Sequence, residues 1–208
     1  MEIHEIFPIA VGTEYLKREL TKDERDFIYS LRSDNQVNGP EGSNFISNKY
    51  YVLDEEPLKS LKSELEAYVN EYFQLVKRPA EGQGQLYITT SWITWTEKDQ
   101  GHHPHDHPNS YISGTFYVDS CPSDMITFIR DEKNDEVYVH SLHINQFGTK
   151  TWNMPASKGS IKLFSSRLKH EVLPRTEDGN RCCLAFNTWF KGTIGYQADT
   201  IKFMETEK

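Results

Sequence analysis

The sequence predicts a mainly β fold of the α+β class, a β-sandwich or jelly roll with N-terminal helices packed on one sheet. From about Leu86 the chain breaks into short runs rich in Thr, Ile, Val, Tyr, Phe and Trp, separated by Gly, Pro, Asn and Asp. That is the pattern of many short strands joined by turns. Ahead of it runs one long stretch with apolar residues three and four apart, the period of an amphipathic helix. Apolar residues make up 37% and aromatics 12% of 208 residues, enough for one domain with a single good core.

Taken in order, residues 6–11 read as a short edge strand, because Pro8 cannot donate to a ladder. Thr21 and Glu24 have capping-box spacing and should open a helix to about Arg32, burying Phe27, Ile28 and Leu31. Residues 35–48, rich in Asn, Gly and Ser, read as a loop. Pro57 suits the first turn of a second helix, and the acids from Asp54 to Glu56 favour its N-terminus. Leu58, Leu61, Leu65, Tyr68, Val69, Tyr72 and Val76 form its apolar face, which should cover a sheet. Strands are then expected at 87–96, 113–119, 125–129, 137–144, 151–153, 160–165, 171–174 and 181–191. The expected organisation is one domain over 1–208: a helical elaboration at 1–84, the sheet core at 85–195 and a tail at 196–208.

Several function classes are disfavoured. A net charge of −8 argues against a nucleic-acid surface. No run of apolar residues is long enough for a membrane helix, and the start lacks the basic and apolar regions of a secretory signal. Three cysteines, two of them adjacent at Cys182 and Cys183, form neither a disulfide framework nor a paired zinc motif. The expected setting is a reducing cytoplasm. A homodimer is compatible with all of this.

The chemistry-bearing stretch is Gly101-His102-His103-Pro104-His105-Asp106-His107-Pro108-Asn109-Ser110. Neutral imidazole is the commonest metal ligand. In an extended segment, residues two apart share a face at about 6.5–7 Å, so His105 and His107 could converge on one ion. Taken alone the pair is equally compatible with a solvated histidine-rich loop. His102 and His103 are expected to be exposed or to flank the ligands. His170, after the turn Ser165-Ser166-Arg167, is the best third ligand. Three neutral imidazoles would release metal as pH falls through about 6.5. His140 and His143 are three apart, the wrong spacing for a second metal pair on one strand face. Residues 130–136, a charge run, are expected to be a solvated loop or lid.

Eleven residues past His170, Arg181 opens a strand in which Arg181, Cys183, Ala185 and Asn187 share one face. The opposite face carries Leu184, Phe186 and Thr188. One cation, two small residues and an amide make an odd core but a sensible wall for a carboxylate ligand. A charge-assisted bond from the guanidinium fork contributes about 1.5–3 kcal/mol.

The order of HxH, strand, distal His and downstream Arg resembles the 2-oxoglutarate- and Fe(II)-dependent dioxygenases. More narrowly, residues His105 to Tyr117 are similar to the HxHPxSxxSGxxY signature of an oxygenase family of bacteria and bacteriophages. The similarity continues through Gly159, Leu163-Phe164-Ser165-Ser166, His170, Val172, Arg181 and Phe186-Asn187. The resemblance implies a double-stranded β-helix, a jelly roll, with Fe(II) held by His105, His107 and His170. Arg181 would bind the distal carboxylate of 2-oxoglutarate, and Asn187, Ser113 and Tyr117 would line its pocket. Trp92 and Trp95 would line the mouth, with Tyr111 and His140 as further substrate-side candidates. The implied reaction consumes O₂, converts 2-oxoglutarate to succinate and CO₂, and hydroxylates a small-molecule or peptide substrate.

The sequence departs from the superfamily's two-histidine, one-carboxylate triad, since position 107 is His. Asp106 is the alternative ligand, but in an extended segment it points opposite to His105, so a bulge would be needed. Two other readings stay open. One is a cupin-like metal enzyme that does not use 2-oxoglutarate; the other is a non-catalytic jelly roll stabilised by metal.

Overall fold

The computed structural model describes residues 1–130 and 145–203. The strand expected at 137–144, with His140 and His143, nearly all of the charge run and the end of the tail lie outside the described residues.

The first strand, β1 (Val11–Tyr15), starts where the apolar run at 6–11 ends. Its start is set by pairing with a later strand rather than by local hydrophobicity, and Ile6, Phe7 and Ile9 are exposed. Helix α1 (Lys22–Ser30) opens on the expected capping box: the Thr21 hydroxyl accepts from the Glu24 amide, and the Glu24 carboxylate accepts from the Thr21 amide. The segment read as a loop contains two short strands, β2 (Asn35–Val37) and β3 (Phe45–Ser47). Their ladder continues onto the next long strand, a long-range pairing that local composition does not reveal. Pro57 lies in a single 3₁₀ turn, and α2 (Lys59–Lys77) follows. Arg78, in a left-handed conformation, ends it ahead of Pro79. Leu61, Leu65, Val69 and Phe73 are its buried stripe, while Val76 is exposed.

The sheet region comprises β4 (Gln85–Thr96), β5 (His102–His105), β6 (Ile112–Asp119), β7 (Met125–Ile129), β8 (Thr151–Pro155), β9 (Ser160–Ser165), β10 (His170–Val172), β11 (Arg181–Ile194) and β12 (Ile201–Phe203). The tail thus contains a strand, β12, paired with the end of β11. The larger sheet runs β1-β9-β6-β11-β4-β3-β2, and the smaller runs β5-β10-β7-β8. All pairings between these strands are antiparallel. This is the jelly roll, with helices on the outer face of the larger sheet.

Strand alternation divides β11 between two environments. Cys182, Leu184, Phe186 and Phe190 join Ile28, Leu61, Leu65 and Val69 in the core beneath the helices. Arg181, Cys183, Ala185 and Asn187 face the other sheet. A bulge in β4, opposite the step from Asn187 to Thr188, shifts its parity. Leu86 and Ile88 on one side of the bulge, and Ile93 and Trp95 on the other, therefore all reach the helix core. Gly114 on β6 leaves room for the Phe186 ring, since a Cβ there would lie 2.1 Å from a ring carbon. Within the described residues, no helix is long and apolar enough to cross a membrane.

Candidate active site

His105 ends β5 and His170 begins β10, and the two are register partners across antiparallel strands. Directly opposed residues point to the same face, so the rings meet with centroids 4.3 Å apart. His107 lies beyond β5, in the turn to β6, where its amide donates to the Ser166 carbonyl at 2.9 Å. Its ring lies 5.1 Å from both others. One ligand atom from each of His105, His107 and His170 falls within 4.8 Å of the others. Small side-chain adjustments would bring all three onto one ion.

Each Nδ1 faces an oxygen acceptor: the His103 carbonyl at 2.8 Å for His105, the Leu168 carbonyl at 3.0 Å for His170, and Asn187 Oδ1 at 2.7 Å for His107. A carbonyl cannot donate, so the proton sits on Nδ1 and the Nε2 lone pair is free. That is the tautomer a metal needs. Burial, reinforced by the neighbouring histidines, lowers the pKa of His105 to about 4 and of His170 to about 3, and burial lowers that of His107. The His105 and His170 rings are therefore neutral well below the pH of 6.5 expected from unperturbed histidine.

Asp106 does not join the group. Its carboxylate pairs with Arg167 at 3.1 Å. His102 stacks 4.0 Å from His105 and touches Asn38, and His103 is exposed.

Arg181 is 4% exposed and donates from Nη1 to the Met125 carbonyl at 2.9 Å. Its guanidinium lies 5.4 Å from the Tyr117 ring centroid. Arg181 Nε and the Tyr117 hydroxyl are buried with no hydrogen-bond partner. Buried donors are rarely left so, and these two fit a carboxylate bound between them. Burial opposes the Arg181 charge, but Cys183, Tyr117 and Asp124 hold its pKa above the ordinary arginine value. Burial pushes the Tyr117 phenol upward, keeping it a donor.

Other expected residues are placed differently. Asn187 and Ser113 both contact His107, at 2.7 and 3.0 Å. Trp92 pairs with Ala185 on the inner face, 5.7 Å from the His107 ring. Trp95, an odd number of residues away, points to the opposite face and lies in the helix core beneath Arg32. Tyr111 also packs on the helix side, against Phe73 and Phe190. Ser110 and Ser166, which join the His107 contacts, fall inside the stretches that carry the family resemblance, though no role was assigned to them from the sequence.

Residues 90–187 match a family model described as "Putative 2OG-Fe(II) oxygenase". No curated protein matches the chain by sequence. Among solved structures, the α-ketoglutarate-dependent epimerase SnoN from nogalamycin biosynthesis is similar, with TM-score 0.59 and 10% identity over 86% of this chain and 78% of that one. HygX from Streptomyces hygroscopicus, with nickel, 2-oxoglutarate and hygromycin B bound, gives 0.54 and 13%, covering 86% and 82%. A Pseudomonas putida prolyl-4-hydroxylase gives 0.53 and 11%, covering 88% and 92%. At these identities the structural likeness establishes the jelly-roll fold.

Proposed function

We propose that this chain, whose residues 90–187 match the 2OG-Fe(II) oxygenase family model, hydroxylates a small molecule at iron held by His105, His107 and His170. The supporting observation is the convergence of these three imidazoles on the inner face that also carries Arg181. When bound, Fe(II) and 2-oxoglutarate supply, with O₂, oxidative decarboxylation to succinate and CO₂ coupled to oxidation of a C–H bond.

The protein's residues have separable tasks. The backbone carbonyls of His103 and Leu168 and the side chain of Asn187 hold the three Nδ1 protons, keeping Nε2 available. Three neutral ligands leave other coordination positions for the cosubstrate and oxygen. Arg181 and Tyr117 hold the distal carboxylate through the donors that lack protein partners. Trp92 forms an apolar wall beside His107 and orients what enters. Phe128 and Phe164 pack against the His170 ring and exclude water from that side.

A small-molecule substrate is supported by the shared fold with SnoN, from nogalamycin biosynthesis, and HygX, crystallised with hygromycin B. A peptide substrate is the second reading, favoured by the likeness to the prolyl-4-hydroxylase. We place the reaction in the cytoplasm on the cysteine pattern, with no nucleic-acid partner given the net charge of −8.

The test is succinate release from 2-oxoglutarate with added Fe(II), for the intact chain and for His170→Ala. Turnover by the first and not the second is expected. Metal binding without 2-oxoglutarate binding would favour the cupin-like reading. A melting temperature lowered by chelation, with no succinate from any substrate pool, would favour the non-catalytic one.

A further inference from the structure

His105 and His170 are oriented by their own segments, each ring bonding the carbonyl two residues earlier. No side-chain substitution can remove those acceptors. His107 is different: it lies outside any strand, and the acceptors at its Nδ1 are side chains of β6 and β11. Its ring direction is therefore set by residues that can be changed.

We propose that Asn187, supported by Ser113, is the positioning residue that fixes His107 as a metal ligand; this rests on the metal-binding reading above. The proton count is determined. Asn187 Nδ2 donates to Thr90 Oγ1 at 3.3 Å, which turns Oδ1 toward His107. Ser113 Oγ, 2.9 Å from the same Oδ1 and 2.8 Å from Ser166 Oγ, gives its single proton to one of these two oxygens. Both groups facing Nδ1 therefore present lone pairs, Nδ1 keeps its proton, and Nε2 is bare.

A row of buried hydroxyls anchors this arrangement. Ser113 Oγ lies 2.8 Å from Ser166 Oγ, which lies 2.7 Å from Ser110 Oγ. The Thr188 amide, next to Asn187, donates to Ser110 Oγ at 3.2 Å. The row closes on the backbone of the strand that carries Asn187. The hydroxyls are fully enclosed, where a purely structural core would pack alanine or valine. An amide orients His107 without adding charge, whereas a carboxylate at 187 would be a stronger acceptor and return a negative charge to a neutral site.

The test uses the purified full chain and Co(II) as probe, reading the dissociation constant by competition titration and the visible d–d absorption. Asn187→Leu should weaken Co(II) binding by roughly ten- to a hundredfold and change the absorption band. Asn187→Asp should restore the band and bind at least about three-fold more tightly than the native chain. Ser113→Ala should fall between Asn187→Leu and native. Native-like affinity and absorption in Asn187→Leu would overturn the proposal while leaving the metal site standing. If Asn187→Leu does not fold, equal affinity in Asn187→Asp and the native chain overturns it instead. A native chain that takes no Co(II) removes this proposal and the metal reading together.

Discussion

The guanidinium of Arg181 lies 5.4 Å from the ring centroid of Tyr117, and each residue keeps a buried polar atom without a partner. Unmet donors destabilise the empty protein and favour any anion that satisfies them. Their separate removal should therefore affect stability and binding in opposite ways.

Arg181→Ala should weaken 2-oxoglutarate binding by about 100-fold, the equivalent of roughly 3 kcal/mol for a lost charge-assisted pair. Tyr117→Phe should weaken it about tenfold yet leave the melting temperature unchanged or raised, since it deletes an unsatisfied hydroxyl. Calorimetric titration and thermal unfolding of both variants measure this. A destabilised Tyr117→Phe with native cosubstrate affinity would refute the assignment.

Metal affinity should be nearly flat from pH 7 to 5. Burial holds His105 at about 4 and His170 at about 3, so protons compete for these two ligands only near those values, and burial shifts His107 in the same direction. Ni(II) titrations at successive pH values should show weakening only as the pH approaches 4. Tenfold losses beginning at pH 6.5 would mean solvated rings.

Glu24 links acid stability to the first helix. Burial alone would raise its pKa, but the bonds from Arg18 and Thr21 outweigh it, and the folded value lies below the ordinary 4.5. A carboxyl depressed on folding stabilises the protein above its unfolded pKa, and the contribution disappears as pH falls through the folded value. Glu24→Gln should cost about 2 kcal/mol at pH 7. Urea denaturation should show the gap closing below pH 4.5.

Gly114→Ala should lower stability by about 3 kcal/mol, because the added methyl meets the Phe186 ring. Adding Phe186→Leu should recover part of that loss. Chemical denaturation of the single and double variants checks the coupling, and purely additive losses would show that the two do not meet.

Legibility in the sequence followed the range of the interaction. The capping box at Thr21 and Glu24, the buried stripe of α2 and the bounds of β7 and β9 rest on neighbours a few residues away, and periodicity reveals them. The β11 faces followed from alternation, and the three histidines from spacing plus resemblance. What was misread depends on distant partners. β2 and β3 are three residues each, too short to read from composition; β3 is held by pairing of Phe45 with Trp95, and β2 by pairing with β3. Ile6 and Phe7 are apolar enough for a strand, but Val11 is the residue that meets Phe164. Trp95 looked like a mouth aromatic and Tyr111 like a substrate-side residue, but strand parity puts Trp95, and packing puts Tyr111, against the helix core. The serine row behind His107 joins positions 110, 113 and 166; the resemblance marked these positions, but their meeting is set by packing between distant strands.

Because one strand walls off both the helix layer and the reaction chamber, β11 sorts mutations by whether their number is odd or even. From 181 to 187, odd positions face the chamber and even positions lie in the helix core. A laboratory seeking altered substrates would therefore begin at Ala185, the odd position that is neither fully buried nor assigned to the cosubstrate or to His107.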